Sequence, residues 1–411
     1  MTAALSTCRF CGSEITLSLV DLGAQPPSNS YLTNAEAEEK YFPLHAVVCE
    51  DCHLVQLADD VPADDIFTAD YAYFSSYSAS WVAHAKAYAD AMTARFGLDA
   101  NSQVVEIASN DGYLLQHFVK AGVKVLGVDP AAGCAEAARE IGVPTEVAFF
   151  NAETATRLKA AGHGADLMAA NNVLAHVPDI RSFVEGFAIL LNGDGVMTVE
   201  FPHLLNLLNL VQFDTIYHEH YSYLSLLAVE RIFGECGLKV FDVEELSTHG
   251  GSLRVFACKA DSTAHPEQPG VELVRAKEHV AGLDTRATYE GFEAKCEGLR
   301  EGLLAFLDAA RVDGKTVAAY GAAAKGNTLL NYADVGADQI DFVCDGNPAK
   351  QGKYLPGSRI PVLAPDHIDS AKPDFVLILP WNIRAEVSEQ LSNIRDWGGK
   401  FVVAVPEIEV W

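Results

Sequence analysis

Between Asp214 and Ser225 the chain reads Asp-Thr-Ile-Tyr-His-Glu-His-Tyr-Ser-Tyr-Leu-Ser, which gathers Tyr217, His218, Glu219, His220, Tyr221 and Tyr223 into a few positions. An imidazole exchanges a proton near neutral pH, and a carboxylate or phenol beside it tunes or orients that proton. These are the residue types of an acid–base site; a polar loop satisfying its own hydrogen bonds is the plainer alternative. A second group is Cys8-x-x-Cys11 with Cys49-x-x-Cys52. Four thiolates so spaced can close a tetrahedron around zinc, although the gap between the pairs is longer than in the usual ribbon; a redox pair is the other reading. Cys134, Cys236, Cys258, Cys296 and Cys344 stand in apolar contexts and read as buried thiols. A third group, Asp70-Tyr-Ala-Tyr-Phe-Ser-Ser-Tyr-Ser78, brings hydroxyl-bearing aromatics, Tyr71 among them, that either line a pocket or cap the following helix.

The elements that must position these residues follow from length and periodicity. A chain of 411 residues with 49% apolar content has material for two or three domains and substantial cores. A net charge of −27 disfavours electrostatic capture of nucleic acid or an anionic membrane. The sequence holds no run of eighteen apolar residues, and its start lacks the basic and apolar regions of a signal peptide. A soluble, monomeric, cytoplasmic protein is therefore expected.

Residues 1–68 form a small module with short β-like runs such as His45–Cys49 and Leu54–Leu57. Its own core is too small, so a metal would staple it. On that reading Cys49→Ser loosens the module before it touches any chemistry. Residues 69–259 form the next domain; it holds a helical run from about Trp81 to Phe96, and between 103 and 201 strand and helix patterns alternate. Strands are expected at Val104–Ile107, Val123–Val128, Asp166–Ala170 and Gly195–Glu200, with helices at 112–121, 131–141 and 180–191 between them. That alternation predicts an α/β fold with a parallel, doubly wound sheet. Past the central stretch come a helix at 226–236 and a hairpin of 238–245 with 252–258. Residues 260–411 open with a Pro-bearing linker and a charged helical spacer over 271–312, and then begin a second alternation. Its strands are expected at Thr316–Tyr320, Ile340–Cys344, Phe375–Leu379 and Phe401–Ala404.

In such sheets ligands sit beyond the carboxyl ends of the strands. A dinucleotide loop places Gly-x-Gly-x-x-Gly there, but the corresponding positions after the first strand are Ala108, Asn110 and Tyr113. The surroundings are acidic instead: Glu106, Asp111 and, 23 positions after Glu106, Asp129. A cationic ligand bearing a ribose fits that loop better than a diphosphate does, and S-adenosylmethionine has both features.

In combination, the two Cys pairs, Glu106-Ile-Ala-Ser-Asn-Asp-Gly112, Asn171-Asn172 with His176, Tyr-His-Glu-His at 217–220 and His-Gly-Gly-Ser-Leu-Arg at 249–254 resemble the sugar C-methyltransferases. These make branched deoxysugars of the tetronitrose, kijanose and vancosamine type. The resemblance spans essentially the whole chain. It implies a zinc-binding N-terminal module held by Cys8, Cys11, Cys49 and Cys52, then a central Rossmann-like S-adenosylmethionine-dependent fold, and a second Rossmann-like domain that helps hold a nucleotide-linked 4-keto sugar. It places the cofactor against Glu106, Ser109, Asn110, Asp111, Gly112, Asp129 and Asn171, and the substrate against Asn172, Ser252, Arg254 and Lys325. The second sheet's loop, Tyr320-Gly-Ala-Ala-Ala-Lys-Gly326, keeps two of three fingerprint glycines, and with Arg254 it is assigned to the diphosphate or nucleotide end.

The implied chemistry is removal of the proton at sugar carbon 3, beside a 4-keto group, followed by attack of the enolate on the donor methyl. His220 is the expected base, and Tyr217, one turn away if the segment is helical, stabilises the oxyanion. Glu219 is expected to orient the imidazole and His176 to act on the keto oxygen, with Tyr71 as a reserve; His218 and His203 are expected to be structural or solvent-facing. Two rivals remain: a nicotinamide-dependent oxidoreductase using the second sheet, and a zinc-ribbon adaptor.

Overall fold

The computed structural model describes residues 6–59, 61 and 74–411. At its centre lies a seven-stranded sheet of Gln103–Ile107, Lys124–Asp129, Thr145–Val147, Ala165–Asn171, Leu191–Pro202, Leu238–Leu246 and Ser252–Lys259. Numbered in chain order, these strands lie 6-7-5-4-1-2-3. The first five run parallel, and the last two form an antiparallel hairpin docked on the fifth. The inner strands read as continuous apolar runs because helices cover both faces: Val104, Val105, Leu167 and Met168 are all fully buried. The chain turns in opposite directions after the first and fourth strands, so their carboxyl ends flank the crevice where ligands bind. Two caps fix helices beside it. Asp179 accepts from the Ser182 amide at 3.0 Å to begin Ile180–Leu190, and Ser225 accepts from the Ala228 amide at 3.1 Å to begin Leu226–Glu235.

The second parallel sheet contains Val317–Tyr320, Val343–Cys344, Val362–Leu363, Phe375–Ile378, Lys400–Val403 and Glu409–Val410, arranged 3-2-1-4-5-6. Only its last strand is antiparallel. The helices Pro269–Val280 and Phe292–Val312 supply the charged spacer before it.

A third sheet joins the two. Leu17–Gln25, Phe42–Val48 and Val55–Leu57 pair antiparallel, and Ser222–Tyr223, from the His/Tyr-rich stretch, adds to Val55–Leu57 as a fourth strand. Side chains alternate across a strand. Accordingly Val47 joins the core it shares with the central sheet, while Ala46 and Val48 join the core it shares with the second. The module therefore borrows a core from each neighbour.

The alternation predicted from sequence is present, with three differences. Thr145–Val147, the nine-residue strand Leu17–Gln25 and the short strands Val362–Leu363 and Glu409–Val410 come in addition to the expected strands. The first helix is short, Leu115–Lys120, because Gly112 lies in the left-handed region at φ 79°. The central stretch is not helical: the His220 amide donates to the Tyr217 carbonyl at 2.9 Å, closing a tight turn that runs straight into the edge strand.

Candidate active site

That turn aims the imidazole. The short 3-10 turn Phe213–Thr215 presents the Thr215 carbonyl, and His220 Nδ1 lies 2.9 Å from it. A carbonyl only accepts, so Nδ1 carries the proton and Nε2 keeps its lone pair. The Tyr217 ring lies 4.0 Å from the imidazole at 33°, and the His176 ring meets it edge-on at 4.6 Å. His176 belongs to the turn Leu174–His176 beyond the fourth strand of the central sheet. Burial holds His220 well below the usual histidine range and pushes His176 down to about 4, so both rings are neutral at pH 7.

Glu219 has a different job from the one expected of it. Its Oε1 accepts from Asn29 Nδ2 at 2.7 Å, tying the turn to the N-terminal module; orientation of His220 comes from Thr215. His218 lies 3.3 Å from the Phe42 carbonyl, and His203 pairs with Glu278 at 2.7 Å. Both are buried, so neither faces solvent. Tyr71 lies outside the described residues.

At the first crevice the left-handed residues are Ala108 at φ 53°, Asn110 at 49° and Gly112 at 79°. The loop thus follows a two-residue period, with Gly112, not Tyr113, in third place. Asn tolerates this region, while Ala is strained there. Asp129 braces the loop: one carboxylate oxygen accepts from the Asn110 amide and the other from the Ala131 amide, both at 2.8 Å. Around it Glu106 Oε2, Ser109 Oγ, Asp111 Oδ1, Asn171 Oδ1 and Asn172 Oδ1 are buried with no hydrogen-bond partner in the protein. Burial, reinforced by Asp129 and Asp111, raises the Glu106 carboxyl well above the usual range. Orphaned acceptors around clustered carboxyls fit a ligand that brings positive charge and hydroxyl donors. S-adenosylmethionine is such a ligand.

Three family profiles match successive parts of the chain: a proposed zinc binding domain over residues 8–67, a methyltransferase domain over 81–243, and a C-methyltransferase C-terminal domain over 247–406. The C-methyltransferase NovU of Streptomyces niveus is 38% identical over 409 residues, covering 99% of this chain and 97% of NovU. The chain belongs to the C-methyltransferase family. A ubiquinone biosynthesis O-methyltransferase of Azorhizobium caulinodans is 30% identical over 121 residues, 27% of this chain and 47% of its own. Among solved structures, the magnesium protoporphyrin IX methyltransferase of Synechocystis PCC 6803 with bound SAH overlaps 44% of this chain and 83% of its own, at 17% identity and a TM-score of 0.35. This C-methyltransferase uses S-adenosylmethionine as donor.

The C-methyltransferase's second sheet presents a different loop. A Cβ on Gly321 would lie 2.4 Å from Pro380, and one on Gly326 would lie 2.8 Å from Leu379, so these glycines allow close packing within the domain. The Ala322 amide donates to Asp345 at 2.8 Å, and its carbonyl accepts from Tyr31 Oη at 2.5 Å and Lys350 Nζ at 2.6 Å. Lys325 Nζ donates to Asn382 Oδ1 at 2.7 Å and lies 4.6 Å from the Trp381 ring. Burial lowers its pKa, while Asp214 opposes the shift. The Ala322 peptide of this loop is therefore bonded within the protein on both sides, while the first turn of helix Ala324–Tyr332 carries no side-chain cap. Arg254 is likewise committed: it bonds Glu200 at 2.6 Å and Glu244 at 2.8 Å, as the cross-strand partner of Glu200 in the central sheet. Ser252 donates to the Thr248 carbonyl at 2.9 Å and closes its own turn.

His249 stands close to Lys325 and His176. Its backbone is left-handed at φ 54°, its ring meets Trp81 at 5.5 Å, and burial pushes its pKa down to about 4. A bulky residue held at positive φ beside two glycines is the signal that marks it.

At the far end of the module Cys8 and Cys52 lie 3.5 Å apart, as do Cys11 and Cys49, and all four sulfurs fall within 4.8 Å. A zinc tetrahedron with bonds of ~2.3 Å has sulfur–sulfur edges of roughly 3.8 Å, so the set fits the metal. Hydrogen bonds from Cys49 and Cys52 already push the Cys8 thiol below its usual range. The metal would fix Cys52 three residues ahead of Val55–Leu57, the strand that pairs with Ser222–Tyr223 of the His/Tyr-rich stretch.

Proposed function

We propose that this C-methyltransferase acts on carbon 3 of a nucleotide-linked 4-keto deoxysugar, in branched-sugar biosynthesis in the cytoplasm. The observation that carries the reading is the 2.9 Å bond from His220 Nδ1 to the Thr215 carbonyl, which leaves a neutral, buried Nε2 as base. A proton beside a keto group is acidic enough for an imidazole to remove, and the burial of His220 strengthens the charge interactions around it. Tyr217, stacked on the imidazole, donates to the enolate oxygen, and the Lys325 ammonium adds positive potential. The cofactor, held by Glu106, Ser109, Asn110, Asp111, Gly112, Asp129 and Asn171, supplies the electrophilic methyl. Asn172, whose Oδ1 is buried without a partner in the protein, holds a sugar hydroxyl. The sugar class rests on the motif resemblance, to which the C-methyltransferase relative is congruent.

The test is a panel of thymidine-, guanosine- and uridine-linked 4-keto sugars read by mass spectrometry. One product should gain a methyl on carbon. Without donor, the same substrate should take up solvent deuterium at carbon 3. Methylation on oxygen, or methylation with no exchange at any pH, would remove the enolate from the reading.

A further inference from the structure

Trp381 stands where three separate segments meet. It follows the fourth strand of the second sheet, in the turn Trp381–Ile383. Its Nε1 donates to Asp214 Oδ2 at 2.7 Å. Its ring lies under the Lys325 ammonium, and the Gly250 turn of the central sheet's hairpin presses on it so closely that a Cβ there would lie 2.4 Å from the indole.

Asp214 is fully buried, and its other oxygen has no hydrogen-bond partner. A carboxylate so placed is costly to bury, and the indole N–H offsets part of that cost. The next residue is Thr215, whose carbonyl holds His220 Nδ1. One residue further, the Ile216 carbonyl accepts from Thr328 Oγ1 at 3.0 Å, on helix Ala324–Tyr332 of the second domain. The peptide that orients the base is therefore gripped on both sides by the C-terminal domain. Opposite it, Gln212 Nε2 donates to the Gly250 carbonyl at 3.0 Å, closing the frame against the central sheet.

We infer that Trp381 and Asp214 are positioning residues for the base: the indole N–H holds Asp214, Asp214 sets the Phe213–Thr215 turn, and the Thr215 carbonyl fixes the tautomer and direction of His220. The second parallel domain then serves the chemistry through its grip on this turn. The inference rests on His220 as the base, and its test needs neither substrate nor turnover.

The test is ring nitrogen NMR of histidine-labelled full-length protein at pH 7, with the His220 signals assigned by their loss in His220→Asn. The native ring should be a single tautomer protonated at Nδ1. Trp381→Phe keeps the aromatic surface and deletes the donor, so His220 should become a mixture of tautomers with the Nδ1–H form reduced at least severalfold. Asp214→Ala should do the same. Asp214→Asn keeps an acceptor for the indole and should restore the native signal. Titration with S-adenosylhomocysteine checks that each variant is folded, since the crevice of the first sheet takes no part in the chain of contacts. Native His220 signals in Trp381→Phe overturn the inference, even if His220→Asn is inactive; an active His220→Asn would overturn the base itself and leave the tautomer result standing.

Discussion

The two parallel sheets share a layout, with strands turning away on either side of a first strand, yet their first loops do opposite things. After Ile107 the backbone turns left-handed at every second residue and leaves buried acceptors with no partner. After Tyr320 the backbone is already spoken for: the Ala322 amide and carbonyl are bonded, and Gly321 and Gly326 face Pro380 and Leu379. One switch point is built to receive a ligand. The other has its Ala322 peptide committed to Asp345, Tyr31 and Lys350. Topology alone tells where a ligand could bind; unsatisfied hydrogen-bonding groups tell whether the place is taken.

The largest effect should come from the frame that joins the sheets. Structural zinc contributes ~10–16 kcal/mol in small zinc domains, so Cys49→Ser should abolish stoichiometric metal by elemental analysis and unfold the module. Because Val55–Leu57 pairs with Ser222–Tyr223 of the His/Tyr-rich stretch, methyl transfer should fall together with the module. That reverses the expectation, drawn from sequence, that chemistry would outlast the module; activity without zinc would restore it.

Next is the packed loop. Gly321→Ala puts a Cβ against Pro380 at a φ of 89°, and overpacking plus left-handed strain should cost about 2–4 kcal/mol by chemical denaturation. Affinity for S-adenosylhomocysteine should stay within about twofold. A variant as stable as the native protein would mean that this loop has room for a ligand after all.

Between the sheets sit imidazoles held neutral by burial. Unfolded, each binds a proton near 6.5; folded, His176 and His249 do so only at about 4. The unfolded chain therefore takes up protons first, and stability should fall as pH drops from about 6.5 to about 4, by up to about 3 kcal/mol per ring. Melting curves across that range check it, and His249→Gln should flatten the slope.

The smallest effect belongs to the open loop. Asp129→Ala should weaken S-adenosylhomocysteine by about 1–3 kcal/mol in calorimetry, through a lost ribose contact and a loosened Asn110 amide. NAD should leave the melting temperature of the native protein unchanged.

The sequence made the strand–helix alternation legible because long apolar runs with a clear period are decided locally. Thr145–Val147 escaped because three residues show no period, and Leu17–Gln25 because Asp21 and Gly23 interrupt its pattern. The acidic character of the first loop is legible in its residue types, whereas its left-handed positions at Ala108, Asn110 and Gly112 are set by the backbone and do not follow the spacing of the glycine template. The pairing of Arg254 with Glu200 leaves no trace in the sequence, because the two lie 54 positions apart and only strand register brings them together. Trp381 and Asp214 lie 167 positions apart, so their bond is a product of docking between domains and leaves no local trace. His220 was identifiable by type, whereas the Thr215 carbonyl that aims it was not, since a backbone acceptor has no residue type.

The central claim is that His220 Nε2 is the base and that the cofactor site is separate from it. His220→Asn, assayed for S-adenosylhomocysteine affinity by calorimetry and for C-methylation of the substrate the panel identifies, tests this most directly. The expected result is affinity within about twofold of native and methyl transfer slower by on the order of a hundred- to ten-thousandfold. Methyl transfer at the native rate would contradict it.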